Sequence, residues 1–201
     1  MKTLSLTIAA VGLSVVSISV AAQNAAKPAM PPPPPAKAPA QASPITDSIK
    51  RGHDIVKGYI TQSAELMPEA DYKFKPAGTI PEVRTYGQIL GHVANANYLF
   101  CGAAMGASTA GGERGPGGAD YEKLATKAEM LKALAASFAY CDKAFAAVND
   151  QNGGQAVTTL PIGPTTKIGA LSFNASHDFE HYGNLVTYLR AKGMVPPSSK
   201  R

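Results

Sequence analysis

Residues 126–148 read TKAEMLKALAASFAYCDKAFAAV. Leu131, Leu134, Phe138, Cys141, Phe145 and Val148 recur there three and four apart, which lines one face of an α-helix with apolar side chains. Thr126 and Glu129 flank its start as a capping box, in which each side chain satisfies an exposed backbone N–H of the other residue. A helix with a single apolar stripe must bury it against another element, so partners have to lie elsewhere in the chain.

Three more segments carry the same period. From Thr46 to Leu66, Ile49, Val56, Ile60 and Ser63 fall at helical spacing, and Pro68 ends the run. A second helix opens at Thr85-Tyr86-Gly87-Gln88, again a capping box, with Tyr86, Ile89, Leu90, Val93, Ala96 and Phe100 on one side. The last runs from about Lys167 to Lys192. Thr165 or Thr166 can cap it, Gly193 can take the left-handed closing position, and Pro196 follows. The connections are long: residues 106–118 hold six glycines and cannot form regular structure. A link of that kind can carry the chain back along a bundle as easily as turn it. Ala156 to Leu160 is a weak strand signal. The fold class expected is all-α, a four-helix bundle with long crossover loops.

The N-terminal part reads differently. Met1-Lys2-Thr3 precedes an uncharged apolar run from Leu4 to Val20, and small residues lead to Gln23, the layout of a signal peptide over residues 1–22. Retention as a membrane anchor is the competing reading, since the apolar run just reaches across a bilayer. Residues 23–44 contain eight of the sixteen prolines and read as an extended spacer. The bundle domain is therefore placed at 45–198. A periplasmic or secreted location follows, with no stable membrane insertion once the leader is cut. The net charge of +5 is scattered, with no basic block, so no nucleic-acid partner is expected. Two cysteines are too few for a disulfide scaffold or a cysteine-based zinc module.

Chemistry can live on the histidines, of which there are four. His177 and His181 stand at i and i+4, on one helical face, where two imidazoles can share a metal. Asn174, Asn184 and Tyr188 continue that face beside Leu171, Leu185 and Leu189. His92 lies on the second helix with Ile89, Ala96 and Leu99 as helical neighbours, and so points inward too. Three neutral imidazoles on two facing helices leave open coordination positions, as in catalytic zinc sites. A core histidine bonded to an amide is the plainer alternative. The H-E-x-x-H protease pattern fits poorly, because Asp178 stands where the glutamate belongs and the glutamate falls at position 180. Asp178 and Glu180 are weak candidates for partners of the ligands or for proton transfer; at least one should face water. His53 stands beside the Ile49–Val56 stripe and reads as a bundle-edge residue, with a fourth ligand as the alternative.

The stretch Met67-Pro68-Glu69-Ala70-Asp71-Tyr72-Lys73-Phe74-Lys75-Pro76, the stretch Arg84 to Ala94 and the closing segment His177 to Arg190 together resemble the DinB family of DinB/YfiT-like metalloenzymes. The resemblance covers roughly residues 46 to 198. It implies an up-down-down-up helix order and one divalent metal, zinc or nickel, held by three histidines, which by position are His92, His177 and His181. Characterised members mostly use low-molecular-weight thiols, which an exported chain meets rarely. The resemblance thus implies a metal-dependent hydrolase or transferase acting on a small-molecule substrate, or a non-catalytic metal-binding bundle. A homodimer is open as an assembly. The family's name refers to DNA damage and implies no DNA contact. In the parallel second and third helices that the family implies, Cys101 and Cys141 are helix positions 16 and 15, within about 1.5 Å in height. A disulfide between them is expected, against two buried thiols.

Overall fold

The computed structural model describes residues 43–200. The leader and most of the proline-rich spacer lie outside the described residues. Four long helices make up most of the rest: α1 (Pro44–Leu66), α2 (Tyr86–Ala104), α3 (Lys127–Ala147) and α4 (Lys167–Ala191). Among the described residues no helix is long and apolar enough to cross a membrane.

Local chemistry explains each start. Both capping boxes form, with Thr85 accepting from Gln88 N at 3.3 Å and Thr126 accepting from Glu129 N at 3.2 Å. Thr166 caps α4 by accepting from Gly169 N at 3.1 Å. The cap of α1 comes from far along the chain. Ser43 makes no side-chain cap, and the Asp150 carboxylate instead accepts from Ile45 N at 3.1 Å and from Thr46 N at 2.9 Å. An anion there also meets the positive end of the helix dipole. Gly193 closes α4 at φ 71°.

The side-chain bonds give relative directions. Tyr86 OH at the start of α2 donates to Ser63 O in the last turn of α1, so α1 and α2 run in opposite directions. Asn97 bonds Ser137 at 3.1 Å and Cys101 is joined to Cys141 one turn further on, so α2 and α3 run together. Tyr188 OH near the end of α4 donates to Arg84 O just before α2. Helix α4 therefore runs against α2.

Helix α2 departs from the one-sided burial expected of it. Seventeen of its nineteen residues are buried, because α3, α4 and the loop segment before α3 cover it from several sides. The core divides into two clusters along its length: Tyr86, Leu90 and Val93 pack with Ile60, Leu134 and Leu185, and Phe100 packs with Phe145 and Leu171. The stripe on α3 also begins one residue early, with Met130 buried and Leu131 partly exposed. Ala156–Val157 and Thr165–Thr166 form a two-residue antiparallel pairing, β1 and β2, that brings the chain into α4.

Candidate metal centre

His92 is held in place by an unusually close approach. A Cβ on the neighbouring Gly91 would collide with the Tyr121 carbonyl, so only glycine lets the short helical turn Tyr121–Lys123 lie directly on α2. Asn95, fully buried one turn on, accepts from Tyr121 N at 3.1 Å and donates to Asp120 at 3.2 Å. The Asp120 carboxylate in turn accepts from Glu122 N. These contacts fix Glu122 beside the His92 ring.

Three ring nitrogens converge. His92 Nε2 lies 3.2 Å from His177 Nε2, and His177 Nε2 lies 3.1 Å from His181 Nε2. The ligand atoms of all three lie within 4.8 Å of one another. Donors about 2.0–2.1 Å from a tetrahedral ion stand about 3.3 Å apart, so the observed spacing fits one. His92 and His181 are buried and His177 is half-buried. Phe100 and Phe173 close the other side of His177, with ring centroids 5.8 and 6.3 Å away. Desolvation by burial, reinforced by the charge of His92, lowers His177. Desolvation, followed by the charges of His177 and His92, pulls His181 down to about 3. Both rings thus stay neutral, with a lone pair free for a ligand, to lower pH than an ordinary imidazole.

The outward nitrogens differ. His92 Nδ1 faces two carboxylates, Glu113 Oε2 at 3.0 Å and Glu122 Oε1 at 3.3 Å, neither of them aligned to make a hydrogen bond with it. The neighbouring His92 ring, against desolvation, holds the Glu113 carboxyl below the usual range. Arg84 grips Glu122 from the far side through Nε at 3.0 Å and Nη2 at 3.3 Å. His181 Nδ1 lies 3.3 Å from Asn184 Nδ2; a His181 that ligates through Nε2 needs an acceptor there, which the Asn184 amide supplies only when turned to present its oxygen. His177 Nδ1 is buried without a partner. Beside His181 a cavity of about 310 Å³ opens between Arg84, Ile89, Asn184 and Tyr188.

Asp178 and Glu180 make no hydrogen bond or ion pair with these rings among the described residues. Glu180 is exposed. Asp178 is fully buried and accepts from Asn174 Nδ2 at 3.4 Å. The same amide donates to Asn97 Oδ1 at 2.9 Å, and Asn97 donates to Ser137. Desolvation lifts Asp178 well above the usual carboxyl range. Asn174 and His181 are buried as the helical face predicts, whereas Asn184 is exposed at the cavity mouth.

A family model described as the DinB superfamily matches residues 55–185, a span that holds all three converging histidines. The chain belongs to the DinB superfamily. Among solved structures this DinB chain is similar to a mycothiol-dependent maleylpyruvate isomerase, with TM-score 0.56 and 14% identity, covering 70% of this chain and 60% of the isomerase. It therefore spans less than two thirds of that protein. A conserved protein from Enterococcus faecalis matches with TM-score 0.58 and 17% identity, covering 74% of this chain and 97% of the other. At such identities the likeness is one of fold. No curated protein matches the chain.

Sequence reasoning about the DinB chain missed Glu113 and Glu122, and it misplaced His53. Glu113 lies in the glycine-rich connection, where no periodicity announces a partner. His53 is fully buried rather than at an edge: it packs against the rings of Phe145 and Phe138, with centroids 4.8 and 5.9 Å away. The signal was available, since Ile49, His53, Val56 and Ile60 step four, three and four. Neither ring nitrogen of His53 has a hydrogen-bond partner. Asp142 Oδ1 lies 3.8 Å away, beyond bonding range, and is held by Lys57 at 2.6 Å.

Burial drives His53 down to about 4, overcoming the opposing charges of Asp142 and Asp54. The unfolded chain takes up the same proton near 6.5, so between these two values the unfolded state binds more protons and stability falls as pH falls. The full shift is worth about 3 kcal/mol. Denaturant unfolding of His53→Leu and of the unsubstituted chain at about pH 7.5 and about pH 4.5 should show the variant losing about 2.5 kcal/mol less on acidification, since this window captures most of the shift. Parallel losses would place the acid sensitivity elsewhere.

Proposed function

We propose that this chain is an exported, divalent-metal-binding DinB protein, an up-down-down-up four-helix bundle acting as a metal-dependent hydrolase or transferase on a small molecule. The observation that carries the reading is the convergence of three imidazole nitrogens at tetrahedral ligand spacing, beside a cavity of small-molecule size. His92, His177 and His181 would hold zinc or nickel, both suited to imidazole. A bound ion would supply Lewis-acid polarisation of a substrate oxygen. The chain's own residues supply the rest. Arg84 offers a cation at the cavity wall, Ile89 an apolar surface, and Asn184 an amide beside His181.

Export rests on the leader-like residues 1–22 and the proline-rich segment after them, and periplasmic or secreted placement goes with it. A non-catalytic metal-binding bundle is the second reading, favoured by the positions of Asp178 and Glu180, neither of which bonds a ligating ring.

One preparation tests these points. Protein recovered from the producing organism should carry about one zinc or nickel per chain by elemental analysis, and its intact mass should lack Met1 to Ala22. Hydrolysis or transfer assayed on a panel of small esters, amides and thiol acceptors should vanish with chelator and return with metal. Protein free of transition metal would overturn the metal reading; bound metal with turnover indifferent to chelator would overturn the catalytic one.

A further inference from the structure

One nitrogen of His92 stands within 3.0 and 3.3 Å of two carboxylates and bonds neither, and a ring that ligates through Nε2 has a single proton to offer at Nδ1. The two glutamates are held differently. Glu122 is fixed from behind by the Arg84 fork and by a backbone pressed onto Gly91. Glu113 stands in the connection between α2 and α3, whose Gly112, Gly117 and Gly118 take left-handed φ values of 67°, 68° and 79°. Among the described residues His92 is the only ion-pair partner of its carboxylate. That contact is also, among the described residues, the only ion pair joining residues 106–118 to one of the four long helices.

Charge bookkeeping separates the occupied cluster from the bare one. Three neutral imidazoles bring no negative charge to balance a divalent ion. Glu113 and Glu122 bring two, of which Arg84 offsets one. Without a cation beyond the ring, the two carboxylates crowd one N–H and repel each other. With a cation on Nε2, the ring becomes a stronger donor and both glutamates are attracted to it. We infer that Glu113 is a positioning residue for His92, and that through it metal occupancy docks the glycine-rich connection of residues 106–118 onto the bundle. This inference rests on the metal reading above.

The chain provides its own probe, because Arg114 follows Glu113 and is exposed enough for trypsin to attack. Two quantities are read on the full chain: the zinc dissociation constant by chelator competition, and the rate of tryptic cleavage after Arg114, identified by fragment mass, with and without zinc. In the unsubstituted protein zinc should slow this cut about 10-fold. In Glu113→Ala zinc should bind about 10-fold more weakly, and at saturating zinc the cut should be slowed less than about 2-fold. Glu113→Gln keeps an acceptor for the His92 N–H, so it should recover part of both effects, and it decides the matter should the alanine variant fold poorly. Substituted proteins that keep the original affinity and zinc protection would overturn the inference while leaving the metal site standing. An unsubstituted protein that takes up no zinc would overturn the metal reading, and this inference with it.

Discussion

Changing His92, His177 or His181 to Ala should each reduce the affinity for zinc or nickel more than about 100-fold, beyond the 10- to 100-fold usual for partners of the ligands. The three rings act as one unit: His177 Nε2 stands 3.2 Å from one neighbour and 3.1 Å from the other, so losing any ring leaves two donors and water to complete the sphere. The effect also appears as stability. Metal at about 1,000 times its dissociation constant stabilises the folded state by about 4 kcal/mol, and the variants should lose that metal-dependent increment. Acidification should act in the same direction, because ligation needs the neutral ring. The sign follows from the shifts: His177 and His181 are both lowered by burial, so protons compete with the ion for these two rings at lower pH than for an ordinary imidazole near 6.5. Elemental analysis after gel filtration measures the content, with His53→Ala as the control that should keep its metal. Stoichiometric metal in the triple alanine variant would mean that the ion sits elsewhere.

Reducing the Cys101–Cys141 bond, or replacing both cysteines by Ala, should cost about 4 kcal/mol, the chain-entropy value for a cross-link closing a loop of about 40 residues. The bond joins two helices at a Cα separation of 5.2 Å, within the ordinary range for a disulfide. It lies beside the buried polar chain, where the Asn174 amide sits 3.8 Å from Cys141 Sγ. Denaturant unfolding with and without reductant measures the cost. Titration in denaturant without reductant should find no reactive thiol, and two thiols per chain would show that the protein as isolated carries the cysteines reduced. An unchanged midpoint after reduction would mean that residual structure already confines the unfolded chain.

The helices were legible because each has its own signature: a capping pair at Thr85 and Gln88, another at Thr126 and Glu129, and a breaker at Pro68. The ligating histidines were legible because i, i+4 spacing is a property of one helix, and because His92 stands among apolar neighbours. What stayed hidden depends on the path of the loops. Nothing near Glu113 has a period, so its reach to His92 is fixed only by the glycine-rich turns and by Tyr121 lying on Gly91. Asp150 capping α1 from 104 residues away is hidden for the same reason. Helix α2 looked one-sided because the stripe method assumes a solvent face, and a helix covered on several sides has little of one. Asp178 looked like a site residue because it adjoins His177, but a neighbour in sequence points about 100° away around a helix, here into the core.

The Asp150 cap has a geometric consequence. It ties the first turn of α1 to the C-terminal end of α3, whereas the cavity beside His181 is lined by Arg84 before α2 and Tyr188 near the end of α4. Helix α1 runs from the first place towards the second, and its 23 residues span about 34 Å. Whatever precedes Ser43 therefore joins the helices at the end remote from the cavity mouth.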